Sequence, residues 1–175
     1  MNDSIRIEEH DHLRGSRDAR VTLVEYGDFA CPYCARAHAA LAELMQQHGE
    51  RVALVYRHLP LVDLHPLAMP AANAAEAAGA EGKFWEMHDA LFENQGMLGE
   101  DALPALASNL GLDPQRFSAE LDGGKHAARI EEQAGQARAF GARGTPTFFI
   151  NGERYQGDSD HASLAAALKK ALGEG

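Results

Sequence analysis

The sequence predicts an α/β fold in which a βαβ unit and a ββα unit are separated by a helical insertion. Three observations predict it. An apolar, β-branched run at residues 21–26 is followed by helical spacing from Pro32 and by a second apolar run at residues 52–58. Residues 64–140 are Ala-rich and helical in pattern, and the stretch TFFINGERYQG then gives a hairpin signal before a last amphipathic helix. A chain of 175 residues with 45% hydrophobic content supports one core carrying an insertion, so one structural domain is expected. Its parts are an N-terminal extension over residues 1–17, the βαβ half over 18–62 and the insertion over 63–127. The ββα half with its preceding helix fills 128–175.

Each element has its own signal. Residues 21–26 (VTLVEY) read as a buried strand ending at Gly27. From Pro32 to about His48, Cys34, Ala37, Leu41 and Leu44 recur at helical spacing, and Gly49 is a plausible stop. Residues 52–58 (VALVYRH) read as a second strand, parallel to the first because a helix crosses between them. In the insertion, Asp101, Gly111 and the pair Asp113-Pro114 punctuate four or five helices. Phe84, Met87, His88 and Leu91 share one helical face, read as the insertion's own core, with a peptide-binding groove as the alternative. Asn151-Gly152 suits a type I′ turn, since both positions need positive φ. Ser159 or Asp160 caps a helix to about Leu172, whose Lys169 and Lys170 complement the dipole.

Charge excludes some partners. Twenty-six acidic against sixteen basic residues give −10, a field that repels phosphate backbones and anionic lipid, so neither nucleic acid nor membrane is expected. The polar N-terminus MNDSIRIEEHDHLRG has no apolar run suited to a signal peptide, which predicts a cytoplasmic chain.

The chemistry sits in the only two cysteines, Cys31 and Cys34, which exclude a structural disulfide framework and a four-cysteine zinc site within one chain. Pro32 at the first helical position makes Cys31 the N-cap, with its sulfur near the free amides of the first turn. Those amides favour a thiolate, so Cys31 is the expected attacking residue. Cys34, one turn on, begins the apolar face and is the expected resolving thiol. A lone CxxC also fits half a zinc site or two ordinary core cysteines.

The segments EYGDFACPYC and GTPTFFINGERYQG together resemble the thioredoxin superfamily, and the helical insertion between them resembles its DsbA-like branch. The resemblance covers roughly residues 18–172 and implies a thioredoxin-like fold that exchanges disulfides with protein or peptide substrates, without a cofactor or metal. A redox-recycling partner or glutathione would restore it. The resemblance further implies that Pro146 is cis beside the CxxC and that the backbone of Thr145 pairs with an extended substrate. Without it, Gly144-Thr145-Pro146 reads as a turn leading into a strand. It also implies that Glu25, six residues before Cys31, is a buried acid relaying the Cys34 proton, where a Glu at an exposed edge is the alternative. Pro32 and Tyr33 resemble the glutaredoxin dipeptide. A His at position 33 would give the thiolate a cationic neighbour, so Tyr33 implies a milder oxidant.

Two further functions compete. One is a glutathione-dependent reductase of the same superfamily, suggested by CPYC. The other is a non-enzymatic carrier in which CxxC motifs of two subunits bridge a metal or iron-sulfur cluster. A redox-inert adaptor is a third, opposed by retention of both cysteines and Pro146. His10 and His12 are read as lying in a mobile terminus, and His38 and His88 as partly buried helix residues, so no metal site is assigned.

Overall fold

The computed structural model describes residues 4–99 and 101–174. Its elements are β1 (His12–Arg14), β2 (Val21–Gly27), α1 (Pro32–His48), β3 (Val52–His58), α2 (Ala68–Gly79), α3 (Phe84–Glu93) and α4 (Ala102–Asn109). They continue with α5 (Pro114–Asp122), α6 (Ala127–Ala139), β4 (Thr147–Ile150), β5 (Glu153–Tyr155) and α7 (His161–Leu172). The strands form one sheet in the order β1-β3-β2-β4-β5. β2 and β3 run parallel in the register Val21↔Val52 to Gly27↔His58, and the other pairings are antiparallel.

Central strands covered on both faces read as continuous apolar runs, and β2 and β3 do so here. On one face Val21, Leu23, Val52 and Leu54 pack against Leu41 and Leu44 of α1 and Leu164, Leu168 and Leu172 of α7. On the other, Val24, Tyr26 and Val55 pack against Ala134 and Ala137 of α6. Each fully buried Leu contributes roughly 1.5–3 kcal/mol. The expected hairpin is present: Asn151 and Gly152 have φ of 50° and 86°, the two positive values of a type I′ turn. Asp160 caps α7 by accepting the Ser163 amide at 3.0 Å, and Asp113 caps α5 through the Arg116 amide at 2.8 Å. Asp101 precedes α4 without a side-chain cap bond.

Two expectations need correction. The segment 1–17 is not a loose terminus where it is described, and residues 1–3 lie outside the described residues. His12 to Arg14 add an edge strand to β3. His12 stacks flat on Phe84, with ring centroids 3.6 Å apart, and its Nε2 lies 2.9 Å from Glu76. Beneath it Arg57, 1% exposed, is paired through two bonds of 2.9 and 2.7 Å with Asp11, because a buried guanidinium must be matched. The core that the helical insertion carries is also not separate, being continuous with the active site. Phe84, Met87, Leu91 and Phe92 join one cluster with Phe29, Tyr56, Cys31 and Cys34, so the face read as a possible groove is buried against the CxxC.

Candidate active site

Cys31 sits where β2 hands over to α1. As N-cap it has φ −83° and ψ 122°, and Pro32 opens the helix because its missing N–H and fixed φ suit that position. Both cysteines are free thiols, Cys31 3% and Cys34 0% exposed. A hydrogen bond from the Cys34 thiol is the main cause that brings Cys31 down to about 5, against a smaller upward push from burial. The Thr145 hydroxyl and the first-turn amides of Tyr33 and Cys34 add to it. Cys34 is driven well above its ordinary value, by burial first and then by its bond to Cys31 and the charge of Glu25. One sulfur is therefore ionised at neutral pH and the other is held protonated.

The Thr145–Pro146 peptide bond is cis, and Thr145 lies directly against Cys31, whose thiol donates to the Thr145 carbonyl at 3.6 Å. The Thr145 hydroxyl is buried without a partner among the described residues, which leaves it available to a Cys31 thiolate. Glu25 stands in the middle of β2, buried, beside Tyr56 of β3 and Phe148 of β4. Burial pushes its carboxyl up to about 8, with the Cys31 charge a second cause. Between the cysteines, Tyr33 is 61% exposed, with the Arg36 guanidinium 4.5 Å from its ring centre. Tyr33 borders an open cleft of about 710 Å³ between α1 and α7, lined also by Arg36, Glu43 and Asp160.

Two residues that sequence reasoning missed hold this site. Asp28 is buried below the active-site turn; its carboxylate accepts the amides of Ala30 at 2.8 Å and Leu61 at 3.0 Å, and pairs with His65 Nδ1 at 2.8 Å. The Ala30 contact is an Asx-type turn, a local signal legible in Gly27-Asp28-Phe29-Ala30. Gln95, just after α3, donates its side-chain amide to the carbonyls of Phe29 at 2.7 Å and Cys31 at 2.9 Å. No sequence signal marks Gln95, because its partners lie 66 and 64 residues away. Gln95→Leu is expected to leave the Phe29 carbonyl without its partner, the Cys31 carbonyl keeping the Ala35 amide at 3.2 Å, at a cost of about 1–3 kcal/mol that lowers the melting temperature by roughly 2–10 °C in a thermal scan. An unchanged melting temperature would remove this clamp.

His38, His88 and Asp89 bring three donor atoms within 4.8 Å of one another. Asp89 is already satisfied there, by Arg14 at 2.7 Å and His88 at 2.8 Å, and the Arg14 cation opposes a metal ion at the same carboxylate.

A family model described as thioredoxin matches residues 8–170. A thioredoxin-like oxidoreductase from Silicibacter pomeroyi is 31% identical, with a TM-score of 0.81 covering 95% of this chain and 94% of that one. BdbD from Bacillus subtilis, 24% identical, has a TM-score of 0.81 covering 92% of each chain. Wolbachia pipientis alpha-DsbA1, at 18% identity, shares the fold with a TM-score of 0.85, covering 96% of this chain and 94% of that one. Among curated relatives, a protein named Na(+)/H(+) antiporter NhaA 1 from Salinispora arenicola is 48% identical over 164 residues. That match takes in 94% of this chain and 25% of the relative, so the chain spans about a quarter of its length.

Proposed function

This chain belongs to the thioredoxin superfamily with a DsbA-like form of its fold, and from that membership we propose that it exchanges disulfides with protein or peptide substrates through Cys31 and Cys34. The observation that carries the proposal is the placement of the two sulfurs: Cys31 at the N-cap of α1 against Thr145 and Cys34 fully buried one turn on, surroundings that favour a thiolate at the first and a thiol at the second. Cys31 attacks a substrate disulfide, forming a Cys31–substrate bond and releasing one substrate thiolate. Glu25 takes the proton of Cys34, whose sulfur displaces the second substrate thiolate and closes the Cys31–Cys34 disulfide. Two electrons pass to the substrate, and the reverse sequence oxidises a dithiol. Thr145 and Pro146 flank Cys31 on the side where an extended peptide would lie, with the Thr145 backbone as its partner. A redox-recycling protein or glutathione returns the pair to its starting state.

The curated relatives' antiporter name is not carried over, since the match takes in a quarter of their length. No helix among the described residues is long and apolar enough to cross a membrane. A cluster bridged between subunits would need both sulfurs at the surface, and Cys34 is fully buried. The cleft beside Tyr33 favours one second reading, in which glutathione, a small charged thiol, is the reductant; saturation kinetics with glutathione test it.

The Cys31 value of about 5 lies between those of thioredoxin, about 7, and DsbA, about 3.5. The pair is therefore expected to have a potential between those of thioredoxin and DsbA, about −270 and −120 mV, and so to be milder than DsbA. In the expected cytoplasmic setting the pair would act as a reductant. Equilibration with defined glutathione buffers measures the potential. A potential above about −150 mV would assign an oxidase in an oxidising compartment instead.

A further inference from the structure

Behind the two cysteines, on the α1 side of the sheet, Glu25 Oε1 and the Tyr56 hydroxyl are buried without a hydrogen-bond partner among the described residues. The parallel register sets Glu25 beside Tyr56, and paired strands run about 4.8 Å apart, so the two side chains leave the same face as neighbours. Gly27 fixes where the phenol lies. A Cβ there would sit 2.6 Å from the Tyr56 ring and 2.8 Å from its hydroxyl, so the glycine lets the ring lie across β2, two residues along from Glu25 on the same face. Phe29 stacks on that ring at 5.0 Å and His88 meets it edge-on at 4.8 Å, which leaves the ring no other place.

Several other groups face this space. Cys31 and Cys34 approach from α1, the first as a thiolate and the second as a weak donor. The Asp28 carboxylate, from the turn before α1, is taken up by Ala30, Leu61 and His65. His58 of β3 turns Nε2 to Glu76 at 2.8 Å, and His88 of α3 turns Nδ1 to Asp89 at 2.8 Å. Burial holds both imidazoles below their usual range, so the second nitrogen of each is an acceptor at neutral pH. Among these groups the Tyr56 hydroxyl is the strong donor without a described partner; three acceptors lack one, Glu25 Oε1, His58 Nδ1 and His88 Nε2, and the carboxylate, the one that carries charge, takes the strongest bond.

We propose that Tyr56 is a positioning residue of the resolving step: its hydroxyl donates through one water to the Glu25 carboxylate, and so sets the pH at which Glu25 can take the Cys34 proton. The inference rests on the proton-accepting role given to Glu25 above. A donor to the carboxylate stabilises its charged form and opposes the burial that pushes Glu25 up to about 8. The proton moves from Cys34 to Glu25, and Tyr56 keeps its own.

Tyr56→Phe is the test, because it keeps the packed ring and removes an oxygen that no described residue bonds. Two quantities are read in the wild type, Tyr56→Phe, Glu25→Gln and the double variant: the pH profile of mixed-disulfide resolution by stopped flow, and the Glu25 side-chain carboxyl titration by carbon-13 NMR in the reduced protein. In Tyr56→Phe the Glu25 midpoint is expected to rise by about one pH unit, and resolution at pH 7 to slow about tenfold. In the Glu25→Gln background the same change is expected to leave resolution within about twofold. An unmoved carboxyl midpoint in Tyr56→Phe overturns the inference itself. Resolution that is independent of Glu25 in the wild type overturns the reading of Glu25 on which it stands.

Discussion

Cys31→Ser is expected to reduce exchange to the background rate, a loss of about a thousandfold or more, whereas Cys34→Ser is expected to accumulate a covalent mixed disulfide with its substrate. The two sulfurs are only three residues apart, yet their surroundings are opposite. Cys31 stands at the N-cap against Thr145, with its thiolate held at about 5, and Cys34 points into the core with its proton retained. A serine at position 31 offers no thiolate, so no first bond forms. A serine at position 34 leaves the first bond with nothing to displace it. Mass spectrometry after incubation with a disulfide peptide reads the adduct directly. Because Cys31 ionises near pH 5, attack by the wild type should be flat above about pH 6 and fall tenfold per unit below pH 5. Equal trapping by both variants, or an attack rate still climbing at pH 8, would overturn the role assignment.

Glu25→Gln is expected to slow the resolving step by about a hundredfold while leaving initial attack unchanged, in line with the contribution of a positioned general base. The base form of Glu25 appears as pH approaches about 8, so wild-type resolution should rise tenfold per unit below that point, and the variant should lose this limb. Stopped-flow kinetics separates the two steps. The same substitution has a stability signature of opposite sense. Glu25 has a folded value of about 8 above its unfolded value of 4.5, so the native state binds the extra proton between these limits. The corresponding stability is present below pH 4.5 and lost as pH rises through 8. Above pH 8 the ionised wild type carries a penalty on the order of 5 kcal/mol that Gln avoids. Denaturant unfolding at pH 4 and pH 9 should show the variant gaining on the wild type at the higher pH, with part of the gain already present at pH 6. A difference between the two proteins that does not change with pH would mean that Glu25 is not the titrating group.

Sequence by itself determined what is local or periodic in this protein. The βαβ unit followed from two apolar runs and a helix whose length fits a crossover. Cys31 as N-cap followed from Pro32, whose fixed φ suits the first helical position, and the hairpin followed from Asn151-Gly152. Only the tertiary structure decided where those pieces meet. The edge strand β1 is three residues long, and a segment with intermediate burial carries no period of its own; β3 and the Arg57–Asp11 pair hold it in place. The helix carrying Phe84 and Met87 showed an apolar face in the sequence, but only the structure shows that the alanines of α2 cover it together with Phe29 and Tyr56 from the other half of the chain. Gln95 and Tyr56 carry no local signal, since one clamps carbonyls more than sixty residues away and the other meets Glu25 only through strand register. The physical reason is the range of the forces: capping, turn chemistry and amphipathic spacing act within a few residues. The charge states of Cys31, Cys34 and Glu25 depend on burial and on neighbours that only the folded sheet and insertion bring together.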